Sequence, residues 1–422
     1  MPRRENVGVE GAHRAERAGG AQVVAVHGEE GASEPGDHFG QAVATGDLHG
    51  DGYDDAVIGT PGEDEGTVED AGRVTVLYGS VNGLDPERTA SVTAAQPVEG
   101  ARFGLGVAAA RFTGDIHGDQ LVVLDQKQGL HVFTYHAGVL RQVGTPDSTG
   151  HRLQAAYLTT GDYDGDGFAD LVVSGYSPDD DYVMGWSAYY AGGTEGLGYR
   201  GDLHGGLGTA SGDINGDGYD LVVGQRSGAD EATGDADAPG GLVGVYYGGG
   251  EGPAGTEGPG TAPQWWSQNS PGVPGAGEQH DSWGNDLSVA DVDGDGRAEV
   301  AVGAPGEDVG RADAAGAVWL LRGTQDGLTG TGAQYFDQNT PGIPGVAEEG
   351  DAWGAHVRLV DTDGDGRAEL VAVAPDENAG DGAVWLLPAS GTGLLADGSR
   401  SYGAAALGGA AHGAHFGAVI DE

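Results

Sequence analysis

The 422-residue chain sets 19 Lys and Arg against 66 Asp and Glu, a net charge of -47, which repels a phosphate backbone and excludes nucleic acid as a partner. Cysteine is absent, so disulfides, thiolate metal sites and thiol nucleophiles are excluded as well. No apolar run approaches the 18 or so residues of a membrane span, and the opening MPRRENVGVEGAHRAERAGG carries basic charge without the apolar segment of a secretory leader.

In chain order, VGVEG at 7–11 and AQVVAVHG from Ala21 read as late strands of a unit whose beginning is elsewhere. An aromatic-glycine pair, Phe39-Gly40, then precedes GDLHGDGYDDAVIG from Gly46, and this pairing recurs. Phe103-Gly104, Trp283-Gly284 and Trp353-Gly354 are clear copies, Gln154-Ala155 and Gly205-Gly206 eroded ones, and Phe416-Gly417 a seventh. The acidic stretches that follow them are ARFTGDIHGDQLVVLD, GDYDGDGFADLVVSG from Gly161, GDINGDGYDLVVG from Gly212, ADVDGDGRAEVAVG from Ala290 and VDTDGDGRAELVAV from Val360.

The clearest copy places Asp162, Asp164, Asp166 and Asp170 at loop positions 1, 3, 5 and 9, with Gly167 at position 6. A calcium ion takes six to eight hard oxygen ligands, so a tight turn must aim alternate side chains and a backbone carbonyl at one point. Glycine permits the backbone conformation that such a turn needs. An EF-hand starts alike but has its last acid at position 12 between helices. Here the last acid falls at position 9 and Leu171, Val172 and Val173 follow, which predicts a cation loop inside a β-hairpin.

Each loop is followed by a strand, a turn such as TPGED at 60–64 or APGED at 304–308, and a further strand. Those further strands are RVTVLYG from Arg73, LHVFTY from Leu130, WSAYY from Trp186, LVGVYYG from Leu242, AVWLLRG from Ala317 and AVWLLP from Ala383. The six intervals from Phe39 to Phe416 average about 63 residues, enough for four short strands, and radial repetition of four-stranded sheets is a β-propeller. The expectation is an all-β, seven-bladed propeller, one domain over 1–422, with repeats at 39–102, 103–153, 154–204, 205–282, 283–352, 353–415, and 416–422 joined with 1–38. Strands from both termini close the seventh blade, whose cation loop is missing. Phe39, Phe103, Trp283, Trp353 and Phe416 are expected between blades. Trp265 and Trp266, in one of two near-identical inserts at 264–284 and 334–354, point to opposite faces of an outer strand, where an exposed ring would be a candidate for sugar or protein contact and a covered one packs.

The aromatic-glycine pairs, the D-x-D-x-D-G-x-x-D/E loops and the turn Gly303-Ala304-Pro305 resemble the FG-GAP repeat family, best known from the N-terminal propeller of integrin α subunits. The resemblance implies a seven-bladed propeller with calcium in the hairpin between the first two strands of several blades, used in adhesion or ligand binding. It implies three complete sites: Asp162, Asp164, Asp166 and Asp170; Asp291, Asp293, Asp295 and Glu299; Asp361, Asp363, Asp365 and Glu369, with carbonyls from Phe168, Arg297 and Arg367 at position 7. Two further sites depart from the pattern. Asp47, Asp51 and Asp55 with the Tyr53 carbonyl enclose His49 where an oxygen is expected, and in Asp213, Asn215 and Asp217 a residue is missing, so Asp220 falls at position 8. The second-repeat stretch keeps only Asp115 and Asp119 and reads as a loop without an ion.

No H-E-x-x-H, G-x-S-x-G or phosphate-loop motif is present. The residues therefore read as a monomeric, non-catalytic, calcium-stabilised binding or adhesion module for a protein or carbohydrate, extracellular or at the cell surface. The alternatives are a propeller-type hydrolase or its accessory domain, since FG-GAP propellers also accompany hydrolases, and a truncated propeller fragment.

Overall fold

The computed structural model describes residues 34–114, 117–146, 154–176, 185–225, 238–250, 252–253, 263–409 and 412–420. They form six four-stranded antiparallel sheets. The first holds β1 (Ala42–Gly46), β2 (Asp55–Thr60), β3 (Arg73–Leu77) and β4 (Thr89–Val92), and the second β5 (Gly106–Ala110), β6 (Gln120–Asp125), β7 (Gly129–His136) and β8 (Val139–Gly144). The third holds β9 (Gln154–Gly161), β10 (Asp170–Tyr176), β11 (Trp186–Ala191) and β12 (Gly198–His204), and the fourth β13 (Thr209–Gly212), β14 (Asp220–Gln225), β15 (Leu242–Tyr246) and β16 (Gln264–Trp266). The fifth holds β17 (Leu287–Ala290), β18 (Glu299–Ala304), β19 (Ala317–Arg322) and β20 (Thr329–Phe336). In the sixth, β21 (His356–Val360), β22 (Glu369–Ala374) and β23 (Ala383–Leu387) are followed by a small hairpin, β24 (Ala389–Ser390) and β25 (Gly393–Leu394), before β26 (Arg400–Gly403) completes the sheet.

The first strands of successive sheets touch in turn, β1 to β5, β5 to β9, β9 to β13, β13 to β17 and β17 to β21. Together they frame a central cavity of about 430 Å³. This is a β-propeller with six blades among the described residues, where seven were expected. Phe416 to Ile420 does dock against the sixth blade, with the Phe416 amide donating to the Asp381 carbonyl (3.1 Å). It pairs with no strand among the described residues, and the N-terminal strands expected beside it lie outside them.

Five apolar clusters hold the blades together, one at each junction from first-with-second to fifth-with-sixth. Because middle strands are covered on both faces, they read as continuous apolar runs: β18 (EVAVGA) and β6 (QLVVLD) are buried at every position. The aromatic-glycine pair is the docking element at these junctions. The residue before the aromatic and the glycine after it are both left-handed, with φ of 54° and 91° at Arg102 and Gly104, and 57° and 85° at Ala352 and Gly354. That double reversal lets the Phe103 amide donate to Ala71 and the Trp353 amide to Ala315, both at 2.9 Å, while the ring enters the junction.

Phe103, Trp283 and Trp353 are fully buried, as expected, and Phe416 is half-buried. Phe39 differs: it is 55% exposed. Trp265 and Trp266 are both half-buried on the outer strand β16, the first against the third-fourth junction and the second against the fourth-fifth. The two opposite faces of the strand are thus both junction faces.

Candidate metal loops

The loop between the first and second strands of a blade is built by two left-handed glycines. In the third blade they are Gly165 and Gly167 (φ 73° and 89°), in the fifth Gly294 and Gly296 (79° and 86°), and in the sixth Gly364 and Gly366 (78° and 87°). With these reversals the amides of positions 4 and 6 turn onto the carboxylate at position 1. Asp291 accepts from Gly294 (2.7 Å) and Gly296 (2.8 Å), and Asp361 from Gly364 (2.7 Å) and Gly366 (2.9 Å). The position-5 carboxylate accepts the amide of position 7: Asp166 from Phe168 (2.9 Å), Asp51 from Tyr53 (3.1 Å), Asp295 from Arg297 (3.0 Å) and Asp365 from Arg367 (3.0 Å). Such local bonds fix the turn before any ion is considered.

The acid at position 9 has a second task. Asp170, fully buried, accepts the Tyr163 amide (2.9 Å) on one oxygen and the Gly192 amide (2.8 Å) on the other, with the Tyr189 hydroxyl at 3.0 Å. Asp55 spans Leu48 and Gly79 in the same way, and Asp220 spans Ile214 and Gly248. This carboxylate therefore buckles the loop to the end of the third strand. The missing residue of the fourth loop leaves that buckle intact, because Asp220 still pairs with Gly212 as Asp170 pairs with Gly161. In other blades the residue just before this acid donates its amide to the preceding blade's loop, as Ala298 does to the Asp213 carbonyl (2.6 Å) and Ala368 to the Asp291 carbonyl (2.9 Å). Asp119 likewise donates its amide to the Asp47 carbonyl (2.7 Å) and accepts the Asp47 amide on its carboxylate (3.0 Å), so the second blade's remnant braces the first loop. Asp115 lies outside the described residues.

Four groups of candidate ligand atoms converge to within 4.8 Å of one another: Asp47, His49 and Asp55; Asp162, Asp164 and Asp170; Asp291, Asp293 and Asp295; Asp361, Asp363 and Asp365. Asp213 and Asp217 belong to no such group among the described residues. In the first loop the imidazole stands among the acids, Nδ1 at 3.0 Å from Asp55 and Nε2 at 2.9 Å from Asp51. In the third and fifth loops, buried oxygens Asp162 Oδ1 and Asp293 Oδ1 have no hydrogen-bond partner. Carboxylates that converge with an oxygen left unpaired fit a hard cation, the ligand chemistry calcium takes.

Residues 39–77, 283–321 and 353–387 match the profile of the FG-GAP repeat, each from its aromatic to the end of the third strand or one residue short of it. The chain carries FG-GAP repeats. Integrin alpha-4 of Xenopus laevis is 28% identical over 169 residues, which cover 36% of this chain and 16% of that protein. Solved structures of AofleA from Arthrobotrys oligospora and of its triple arginine mutant superpose with TM-scores of 0.41 and 0.42 at 9% and 10% identity, over 87% of this chain and 91% of each of theirs. Scores at that level carry no argument about function.

Three of the acids that close these loops titrate unusually. Burial, before any other cause, pushes Asp170 up to about 6 and both Asp220 and Glu299 up to about 7. At the other end of β18, Glu307 is pushed up to about 7 by burial and then by the charge of Asp281. The folded chain holds these protons up to pH 6 to 7, whereas an unfolded chain releases them near 4. Stability in chelator should therefore rise as pH falls from about 7 to about 5, the reverse of an ordinary acid denaturation. Melting temperatures across that window check it. A melting temperature that falls steadily with pH would show that the buckles are charged in the folded state.

Proposed function

We propose that this chain is a calcium-stabilised FG-GAP propeller acting as a non-catalytic binding or adhesion module for a protein or carbohydrate ligand outside the cytoplasm. One observation carries the reading: acidic groups converge at the same turn of four blades, in the same strand register. Asp162, Asp164, Asp166 and Asp170 would hold one ion with the Phe168 carbonyl. Their counterparts in the fifth and sixth blades are Asp291, Asp293, Asp295, Glu299 and Arg297, and Asp361, Asp363, Asp365, Glu369 and Arg367. The loops with His49 and Asn215 would be weaker sites, since one puts an imidazole nitrogen where an oxygen is expected and the other lacks a converging trio.

Bound calcium supplies positive charge that offsets the mutual repulsion of these carboxylates. The protein does the rest: Gly165 and Gly167 shape the turn, and Asp170 fastens it to the third strand. Extracellular calcium modules work at dissociation constants of about 0.1 to 1 mM, which together with the integrin likeness supports a location outside the cell. No helix among the described residues is long and apolar enough to cross a membrane. Replacing both Asp164 and Asp166 by Ala should remove one equivalent of bound calcium in equilibrium dialysis and leave the far-ultraviolet circular dichroism unchanged. An unaltered metal count would sink the assignment. Arrays of glycans and extracellular proteins, probed with and without chelator, test the binding role; capture of no array member would count against it.

A further inference from the structure

The fifth and sixth blades contain nearly the same loop twice, D-V-D-G-D-G-R-A-E from Asp291 and D-T-D-G-D-G-R-A-E from Asp361. In both, the position-7 arginine folds back on the position-5 acid, Arg297 on Asp295 and Arg367 on Asp365. They differ in what faces position 9 across the sheet. Val300 pairs with Leu321 and Leu370 with Leu387, so Arg322 falls beside Glu299 where Pro388 falls beside Glu369.

The Arg322 guanidinium enters the fifth loop. Its Nη1 is 3.2 Å from Asp293 Oδ2 and 3.6 Å from Glu299 Oε1, a charge contact without the alignment of a hydrogen bond. From the other side Nη2 donates to the Thr392 carbonyl (2.7 Å), at the tip of the small sixth-blade hairpin. That hairpin is itself clamped to the fifth blade, since Gln334 donates to the Leu394 carbonyl (2.9 Å) and accepts the Leu394 amide (3.0 Å). The side chain is mostly buried, so solvent screens its charge little.

We infer that Arg322 is a built-in counter-ion that makes the fifth-blade loop a weaker divalent-cation site than its sixth-blade twin and holds that loop folded when no metal is bound. An entering ion must share Asp293 and Glu299 with a fixed positive charge, or displace it and break its bond to Thr392. At the equivalent place the sixth loop has Pro388, which has no charge. This inference rests on the calcium reading above and adds which residue of the chain sets one site apart.

Calorimetric titration of the full chain with calcium chloride tests it, using Arg322→Met, which keeps the length of the stem, and Arg322→Lys, which keeps the charge. The Met variant should bind one ion at least tenfold more tightly, with the other sites unchanged, and the Lys variant should not. The gain should vanish when Asp291→Asn is added. The Met variant should also show a larger difference between its melting temperatures in calcium and in chelator than the parent chain. Calcium uptake by the parent with affinities unchanged in the Met variant overturns the role of Arg322 while sparing the calcium reading. No uptake by either chain overturns both.

Discussion

Stripping the protein of divalent cations with a chelator is expected to lower its melting temperature by about 6 °C. A ligand present at a hundredfold excess over its dissociation constant adds about 2.7 kcal/mol to the folded state. The third and sixth loops together should then contribute about 5 kcal/mol, with less from the fifth, where Arg322 already lies 3.2 Å from Asp293. The physical source is local. Asp361, Asp363 and Asp365 present oxygens within 4.8 Å of one another on an exposed turn, and each charge opposes the next until a cation offsets them. A chain of net charge -47 also gains from plain ionic screening. The comparison therefore needs sodium chloride at matched ionic strength, under which most of the loss in chelator should persist. Equal melting temperatures in calcium and in chelator would refute a structural role for the ions.

The sequence made the strands and the loops legible because both are written in local patterns. Third strands were expected to begin at Arg73, Trp186, Leu242, Ala317 and Ala383, where they do begin, since each is an apolar run closed by turn residues. The position-6 glycine was equally readable from its spacing. What escaped was everything set across strands or between blades. Position 9 looked like a ligand and also serves as a buckle to Gly192 or its equivalents, a residue some twenty positions away in sequence. The reversed residue before each aromatic carries no composition signal, for Arg102, Ser282 and Ala352 share only a backbone conformation. The missing residue of the fourth loop was visible, but not that Asp220 would still pair with Gly212 and accept the Gly248 amide. Arg322 reads as the polar end of a strand until the register sets it beside Glu299. Blade number failed for a related reason. An aromatic-glycine pair marks docking onto the preceding blade, so Phe416-Gly417 signals the edge of the sixth blade whether or not a seventh sheet follows.

That docking should be the most sensitive point in the apolar framework, and two tryptophans separate its contributions. Trp353 is fully buried in the cluster between the fifth and sixth blades, with its ring edge-on to Trp385 at 6.3 Å. Trp353→Ala should cost about 3 to 5 kcal/mol, the range for removing a large ring from a packed core. Trp353→Phe should behave differently. The Trp353 indole Nε1 is buried without a partner, and other repeats place Phe103 and Phe416 at the same position. The small cavity left by the shorter ring is then offset by removal of an unsatisfied N–H, which by itself costs about 1 to 3 kcal/mol when buried. The net change should stay within about 1 kcal/mol. Trp385 is equally buried, but its Nε1 donates to the Pro344 carbonyl at 2.7 Å and so ties the insert before the sixth blade to the third strand. Trp385→Phe leaves that carbonyl without its donor and should lose about 1 to 3 kcal/mol on top of the cavity. Urea denaturation of the three variants in saturating calcium measures the difference directly. Equal losses for the two Trp→Phe changes would mean that ring volume alone, and not the indole N–H, decides how these blades are joined.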